Sequence, residues 1–61
     1  MNISIAEQIT SVEREIRMRE KVYPRWVERK KLSQAKADHE MAAMHAVLET
    51  LRKVQVAERL L

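Results

Sequence analysis

The 61-residue sequence contains no glycine, and this absence restricts the available folds more than any other feature. Glycine supplies the backbone conformations of phosphate-binding loops, dinucleotide-binding turns and tight β-hairpin turns. The residues that dominate instead are Ala, Leu, Glu, Lys, Arg, Gln and Met, which are strong helix formers. The sequence therefore predicts an all-α protein without strands.

The length of the chain predicts that it associates with itself. A domain of this size buries only about 60% of the surface that its unfolded chain exposes. The sequence has no cysteine, so disulfides and thiolate metal sites are excluded. Oligomerisation is the remaining way to complete a core. We therefore predict a homo-oligomer, with a dimer as the favoured form.

The first predicted helix covers about 4–30. Ser4 and Glu7 have the spacing of a capping box, and Thr10 and Glu13 repeat that spacing one turn later. Steps of four and three then predict a coiled-coil-type seam at Ile5, Ile9, Val12, Ile16, Arg19 and Tyr23. Pro24 either ends this helix at Val22 or kinks it, and we favour a kink. In a continuous helix, Tyr23, Trp26 and Lys30 would extend the seam.

The second predicted helix covers about 34–59 and follows Ser33, a suitable N-cap. The short connection at Lys30 and Lys31 predicts an antiparallel two-helix hairpin. The apolar arc of this helix spans about 150°, more than one neighbouring helix covers. It consists of Ala37, Met41, Met44, Val47, Leu48, Leu51 and Val54. A second hairpin would cover the rest, and the two would form a four-helix bundle.

Residues 14–31 combine basic and aromatic character, with eight Lys or Arg against three Glu and both aromatic residues of the chain. Arg14, Arg17, Lys21 and Arg25 form a stripe opposite the seam. Guanidinium groups bind phosphates, and aromatic rings stack on bases. The candidate binding residues for an anionic ligand are Arg17, Arg19, Lys21, Tyr23, Arg25, Trp26 and Arg29. Arg19 occupies a seam position, where it would pair with a glutamate, set the register of the bundle or face a ligand.

A purely structural interpretation accounts for the same residues. Tyr23 and Trp26 would pack in the core with polar tips at its rim, and the basic stripe would be a solvated face. His39 and His45 are six residues apart and on different helix faces, so no metal site is predicted. No nucleophile, base and oxyanion site occur together. We therefore expect neither a cofactor nor an enzyme.

The segment Val22-Tyr23-Pro24-Arg25-Trp26-Val27 resembles a segment of short helical proteins encoded by bacteriophages and prophages. The resemblance extends over about residues 13–53 and includes 15–19, 32–40 and 44–51. It implies a phage origin, and accessory phage proteins of this size tend to be binders. Such proteins would have glycine at the turn, where this sequence has Arg29, Lys30 and Lys31.

These observations lead to three functional hypotheses. The first is a counter-defence protein that sequesters an anionic nucleotide-type ligand. The second is a protein–protein inhibitor of a host or defence protein. The third is a non-specific nucleic-acid-binding accessory protein. No apolar run approaches the roughly 20 residues of a membrane span, and no signal peptide is recognisable. The bacterial host cytoplasm is the expected location.

Overall fold

The computed structural model describes residues 2–61 as two α-helices that pack against each other in a hairpin. Helix α1 is Ile5–Glu28 and helix α2 is Gln34–Leu60. The described chain contains no strand. The prediction of an all-helical protein with two packed helices is therefore confirmed. The predicted helix ranges, about 4–30 and about 34–59, differ from these bounds by one or two residues at their ends.

Both helices begin at the predicted N-cap serines. The Ser4 hydroxyl accepts a hydrogen bond from the Glu7 backbone N–H at 3.1 Å, and the Ser33 hydroxyl accepts one from Lys36 at 3.1 Å. Each bond satisfies one of the backbone donors that the first helical turn leaves without a partner. Short polar side chains therefore mark the start of each helix, as the sequence indicates.

Helix α1 continues through Pro24 and does not end at Val22. The alternative of a break at Pro24 is therefore wrong. The helix ends beyond the proline, where Lys30 adopts φ 60°, in the left-handed region. The Lys30 N–H donates to the Val27 carbonyl at 3.0 Å, and the Lys31 N–H donates to the Trp26 carbonyl at 2.8 Å. This pair of bonds is a Schellman motif, which closes a helix after a left-handed residue.

The core lies between the two helices. Its buried members are Ile9, Ile16 and Leu48, and the half-buried side chains packed against them are Ile5, Val12, Met41, Met44 and Leu51. Ala37 is buried as well. The first four positions of the predicted α1 seam and most of the predicted arc of α2 thus supply the core. The last two seam positions, Arg19 and Tyr23, do not belong to it. Val47 and Val54 belong to that arc but are exposed.

The hairpin is elongated, with extents of 48 × 20 × 16 Å and a radius of gyration of 14.3 Å. A compact domain of this length has a radius of gyration of about 10.5 Å. The difference arises because two long helices form a single layer with no third element across them. The core is consequently small, and much apolar surface stays at the sides of the helices.

Candidate functional site

The candidate site is a surface pocket of about 280 Å³ on α1, which we call the Arg19 pocket. Its lining residues are Met18, Arg19, Val22, Tyr23 and Trp26. They lie close together because residues three, four and seven positions apart share one side of a helix. Because α1 continues through Pro24, the residues before and after the proline form one surface.

Arg19 is held in place by two neighbours on its own helix. Its Nη1 donates to Glu15 Oε2 at 2.6 Å and to the Glu15 carbonyl oxygen at 3.3 Å. Its Nε donates to Tyr23 Oη at 3.1 Å. Each neighbour is four residues away, the spacing that brings helical side chains into contact. Of the alternatives for Arg19, pairing with a glutamate is confirmed.

The charge of Arg19 is stabilised by these contacts. Hydrogen bonds from its side chain to Glu15 and then to Tyr23 raise the pKa of Arg19 above its ordinary value. A raised pKa favours the cationic form, so the charge would be lost only at strongly alkaline pH. Arg19 is therefore a permanent cation at the edge of the pocket.

The stability that this ion pair contributes does not by itself explain why an arginine occupies a seam position. The exposed fractions of the Arg19 and Glu15 side chains are 28% and 44%. An i,i+4 pair at such exposure contributes only about 0.3–0.5 kcal/mol. Burying an apolar side chain at a seam position contributes about 1.5–3 kcal/mol. An arginine at this position therefore stabilises the hairpin less than a buried apolar side chain would, and this favours a binding role for Arg19.

Arg19 also retains donors for a ligand. Its Nη2 forms no hydrogen bond with any described residue, because the contacts above use Nε and Nη1. An Nη2 nitrogen carries two N–H groups, and charge-assisted bonds from such groups to phosphate or carboxylate oxygens are short and strong. Arg19, which lines the pocket, thus keeps a pair of N–H donors that no described residue uses.

The aromatic rings lie beside this cation. The Tyr23 and Trp26 ring centroids are 5.8 Å apart, with an angle of 35° between the ring planes. Trp26 remains 43% exposed, and neither ring belongs to the core cluster. The extension of the seam to Trp26 and Lys30 is therefore wrong, because Trp26 faces outward and Lys30 leaves the helix. An exposed indole offers a face on which a flat ring can stack.

The structure divides the seven candidate binding residues into two groups. Arg19, Tyr23 and Trp26 line the Arg19 pocket. The other four are exposed, do not line it and form no ion pair within residues 2–61; they are Arg17, Lys21, Arg25 and Arg29. Sequence reasoning missed Glu15, Met18 and Val22 as parts of the site. The spacing of four that links Glu15 to Arg19, and Met18 to Val22 and Trp26, is the signal that identifies them.

Two other depressions lack this combination of groups. One of about 330 Å³ lies among exposed side chains on the N-terminal half of α1 and is lined by Ala6, Glu7, Thr10, Ser11 and Arg14. Another, of about 200 Å³, lies between the helices near the turn and includes Tyr23, Pro24, Val27, Asp38 and Met41. The first is larger but has no aromatic ring, and the second has no cation.

No group of three or more His, Asp or Glu side chains in the described chain is arranged to hold a metal ion. Neither described helix is both long enough and apolar enough to cross a membrane.

In comparisons with known proteins, the sequence and the fold match no protein-family model, no curated protein and no solved structure.

Proposed function

We propose that this chain is a small non-enzymatic binding protein that captures an anionic, nucleotide-type ligand in the Arg19 pocket. The observation that carries the proposal is the oriented guanidinium group of Arg19 beside the exposed ring of Trp26. The free Nη2 donors would bind phosphate oxygens, and the indole would stack on the base. The pocket lining, within the described chain, provides side chains for binding and no pair of nucleophile and base.

We infer that the helices run antiparallel and that α1 bends at Pro24. The first inference is supported by the contact of Arg52 Nη2 with Glu13 Oε2 at 3.3 Å, which links the N-terminal half of α1 to the C-terminal half of α2. The second is supported by the chemistry of proline. Pro24 has no N–H for the Glu20 carbonyl, and its ring crowds that carbonyl.

We propose further that the hairpin forms a homodimeric four-helix bundle. The small core and the exposed Val47 and Val54 support this, because a single hairpin leaves part of its apolar surface in water. We also propose a phage origin, a role in counter-defence and a location in the host cytoplasm. Their support is the resemblance to phage proteins, whose most specific segment supplies Val22, Tyr23 and Trp26 to the pocket.

A titration followed by Trp26 fluorescence tests the ligand proposal. ADP serves as the anionic probe and adenosine as its uncharged counterpart, and Trp26 is the sole tryptophan of the chain. Arg19→Gln should weaken ADP binding about tenfold or more, since it removes a charge-assisted hydrogen bond. Arg17→Gln is the matched control, because Arg17 is an exposed arginine on the same helix outside the pocket. Equal losses in the two variants would contradict the proposal.

The exposed basic stripe favours a second candidate function. Arg14, Arg17, Lys21 and Arg25 make no ion pair with any described residue, and they lie about opposite the core on α1. Such a stripe suits the backbone of a nucleic acid. Binding of a DNA duplex that falls steeply with salt, and that Arg17→Gln weakens more than Arg19→Gln, would support this alternative.

A further inference from the structure

Helix α2 carries a second apolar seam beside the one that faces α1. Met44, Val47, Leu51 and Val54 follow one another in steps of three, four and three, the spacing of a coiled-coil contact. Met44 and Leu51 are half-buried against the core, whereas Val47 is 46% exposed and Val54 is 39% exposed. A helix with two adjacent seams requires two neighbours, and α1 is only one of them.

Trp26 of α1 and Val47 of α2, which are both exposed, lie on the same side of the hairpin. Successive residues of a helix are about 100° apart around its axis. Around α1, Glu13 therefore lies about 60° to one side of Ile16, and Trp26 lies about 80° to the other side. Around the axis of α2, Arg52 lies about 40° to one side of Leu48, and Val47 lies about 100° to the other side. Glu13 and Arg52 contact each other, so they mark one common side of the hairpin.

The opposite side of the hairpin therefore carries apolar residues of both helices, and we call this side the outer apolar face. Its members are Val22, Trp26, Met44, Val47, Leu51 and Val54. Tryptophan is enriched at protein interfaces, and a contiguous apolar patch on a small protein often marks an interaction site.

The charges beside this face are suited to a copy of the same surface. Glu15 and Arg19 neutralise each other, and the charged residues at similar helical angles on α2 are of mixed sign, namely Lys36, Glu40 and Glu58. The excess of arginine and lysine, at 14, 17, 21 and 25, lies on another surface of α1. A face that pairs with itself must carry little net charge, because like charges would meet across the symmetry axis.

The exposed area matches what a dimer of this kind needs to bury. The chain exposes 5067 Å², whereas a compact monomer of 7.2 kDa exposes about 4,100 Å². The excess is therefore about 970 Å². A stable complex of standard size buries about 800 Å² on each partner. One contact along the side of the hairpin would thus bring the exposed area to that of a compact protein.

We propose that the outer apolar face is the surface on which a second copy of this chain packs. The inference rests on the self-association in the proposed function and identifies the residues responsible for it. A partner hairpin would cover Val47 and Val54 and supply the second neighbour of α2. Trp26 would lie at the edge of the interface, where its ring stays open to the Arg19 pocket.

Sedimentation equilibrium of the full chain without nucleotide tests this face. Val47→Glu and Val54→Glu should each weaken the dimer at least about a hundredfold, because a symmetric contact would bury two unpaired carboxylates. Val56→Glu is the matched control, since Val56 is 53% exposed on the same helix but outside the face. It should change the dissociation constant by less than about threefold.

Trp26 emission gives a second measurement that does not depend on a variant remaining folded. Raising the concentration of the wild-type protein should shift the emission slightly to the blue and partly reduce quenching by acrylamide, because a partner hairpin at the edge of Trp26 covers part of the indole. A monomer at every concentration, or equal weakening by Val47→Glu and Val56→Glu, would overturn the proposal. A dimer that fails to bind ADP would instead contradict only the ligand proposal.

Discussion

At the scale of the residue, Arg19 is a local departure from a pattern, and it lies in the candidate site. The seam of α1 requires an apolar side chain at position 19, and the sequence has an arginine. In the structure, the Arg19 side chain donates hydrogen bonds to Glu15 and Tyr23, each four residues away along the helix. These contacts are local, so their spacing can be read from the sequence. The exposure of Trp26 cannot be read in this way, because it depends on where α2 lies.

The Tyr23 hydroxyl should contribute to ligand binding through Arg19. Tyr23→Phe removes the acceptor of the Arg19 Nε bond and preserves the aromatic ring. We expect ADP binding to weaken about three- to tenfold, the range of one hydrogen bond, with unchanged helicity by circular dichroism. In the Arg19→Gln background the same substitution should have almost no further effect. An equal loss in both backgrounds would show that the hydroxyl acts independently of Arg19.

At the scale of the element, α1 ends in a left-handed turn that lacks the glycine usual at this position. Lys30 adopts the left-handed conformation of the Schellman motif, where glycine is common. For a residue with a Cβ atom, this conformation costs about 1–2 kcal/mol of steric free energy. The hydrogen bonds to Val27 and Trp26, together with the packing of the two helices, must offset that cost.

Lys30→Gly should therefore stabilise the hairpin. Glycine relieves the steric cost at φ 60° but gains more freedom in the unfolded chain, so we expect a net gain of about 0.5–1 kcal/mol. Urea unfolding followed by circular dichroism measures the free energy of unfolding. Lys31→Gly is the control and should give no gain, since Lys31 lacks a positive φ. A loss of stability in Lys30→Gly would contradict the assigned turn.

At the scale of the whole molecule, the hairpin depends on very few buried side chains. Ile9, Ile16 and Leu48 form the centre of the core, with half-buried neighbours around them. The outer apolar face holds part of the remaining apolar surface, which we propose that a second copy covers. A core this small makes each buried side chain a large share of the total stability.

Ile16→Ala should therefore unfold much of the population. The residue is 5% exposed, and truncating a buried isoleucine costs about 2–5 kcal/mol. The total stability of a chain of this length is about 3–9 kcal/mol. Thermal unfolding at several protein concentrations measures the effect. The exposed Val56→Ala should change the free energy of unfolding by less than about 0.5 kcal/mol. Similar losses in both variants would contradict the assigned core.

The sequence by itself determined the helices, their capped starts and most of the residues that form the core. These features depend on interactions within a few positions of the chain, such as the Ser4 and Ser33 caps and the spacing of three and four. The tertiary structure alone decided that Trp26, Val47 and Val54 lie outside the core. It also separated Arg19, Tyr23 and Trp26 from the basic stripe. The reason is geometric, since the position of the neighbouring helix decides which part of an apolar arc is buried.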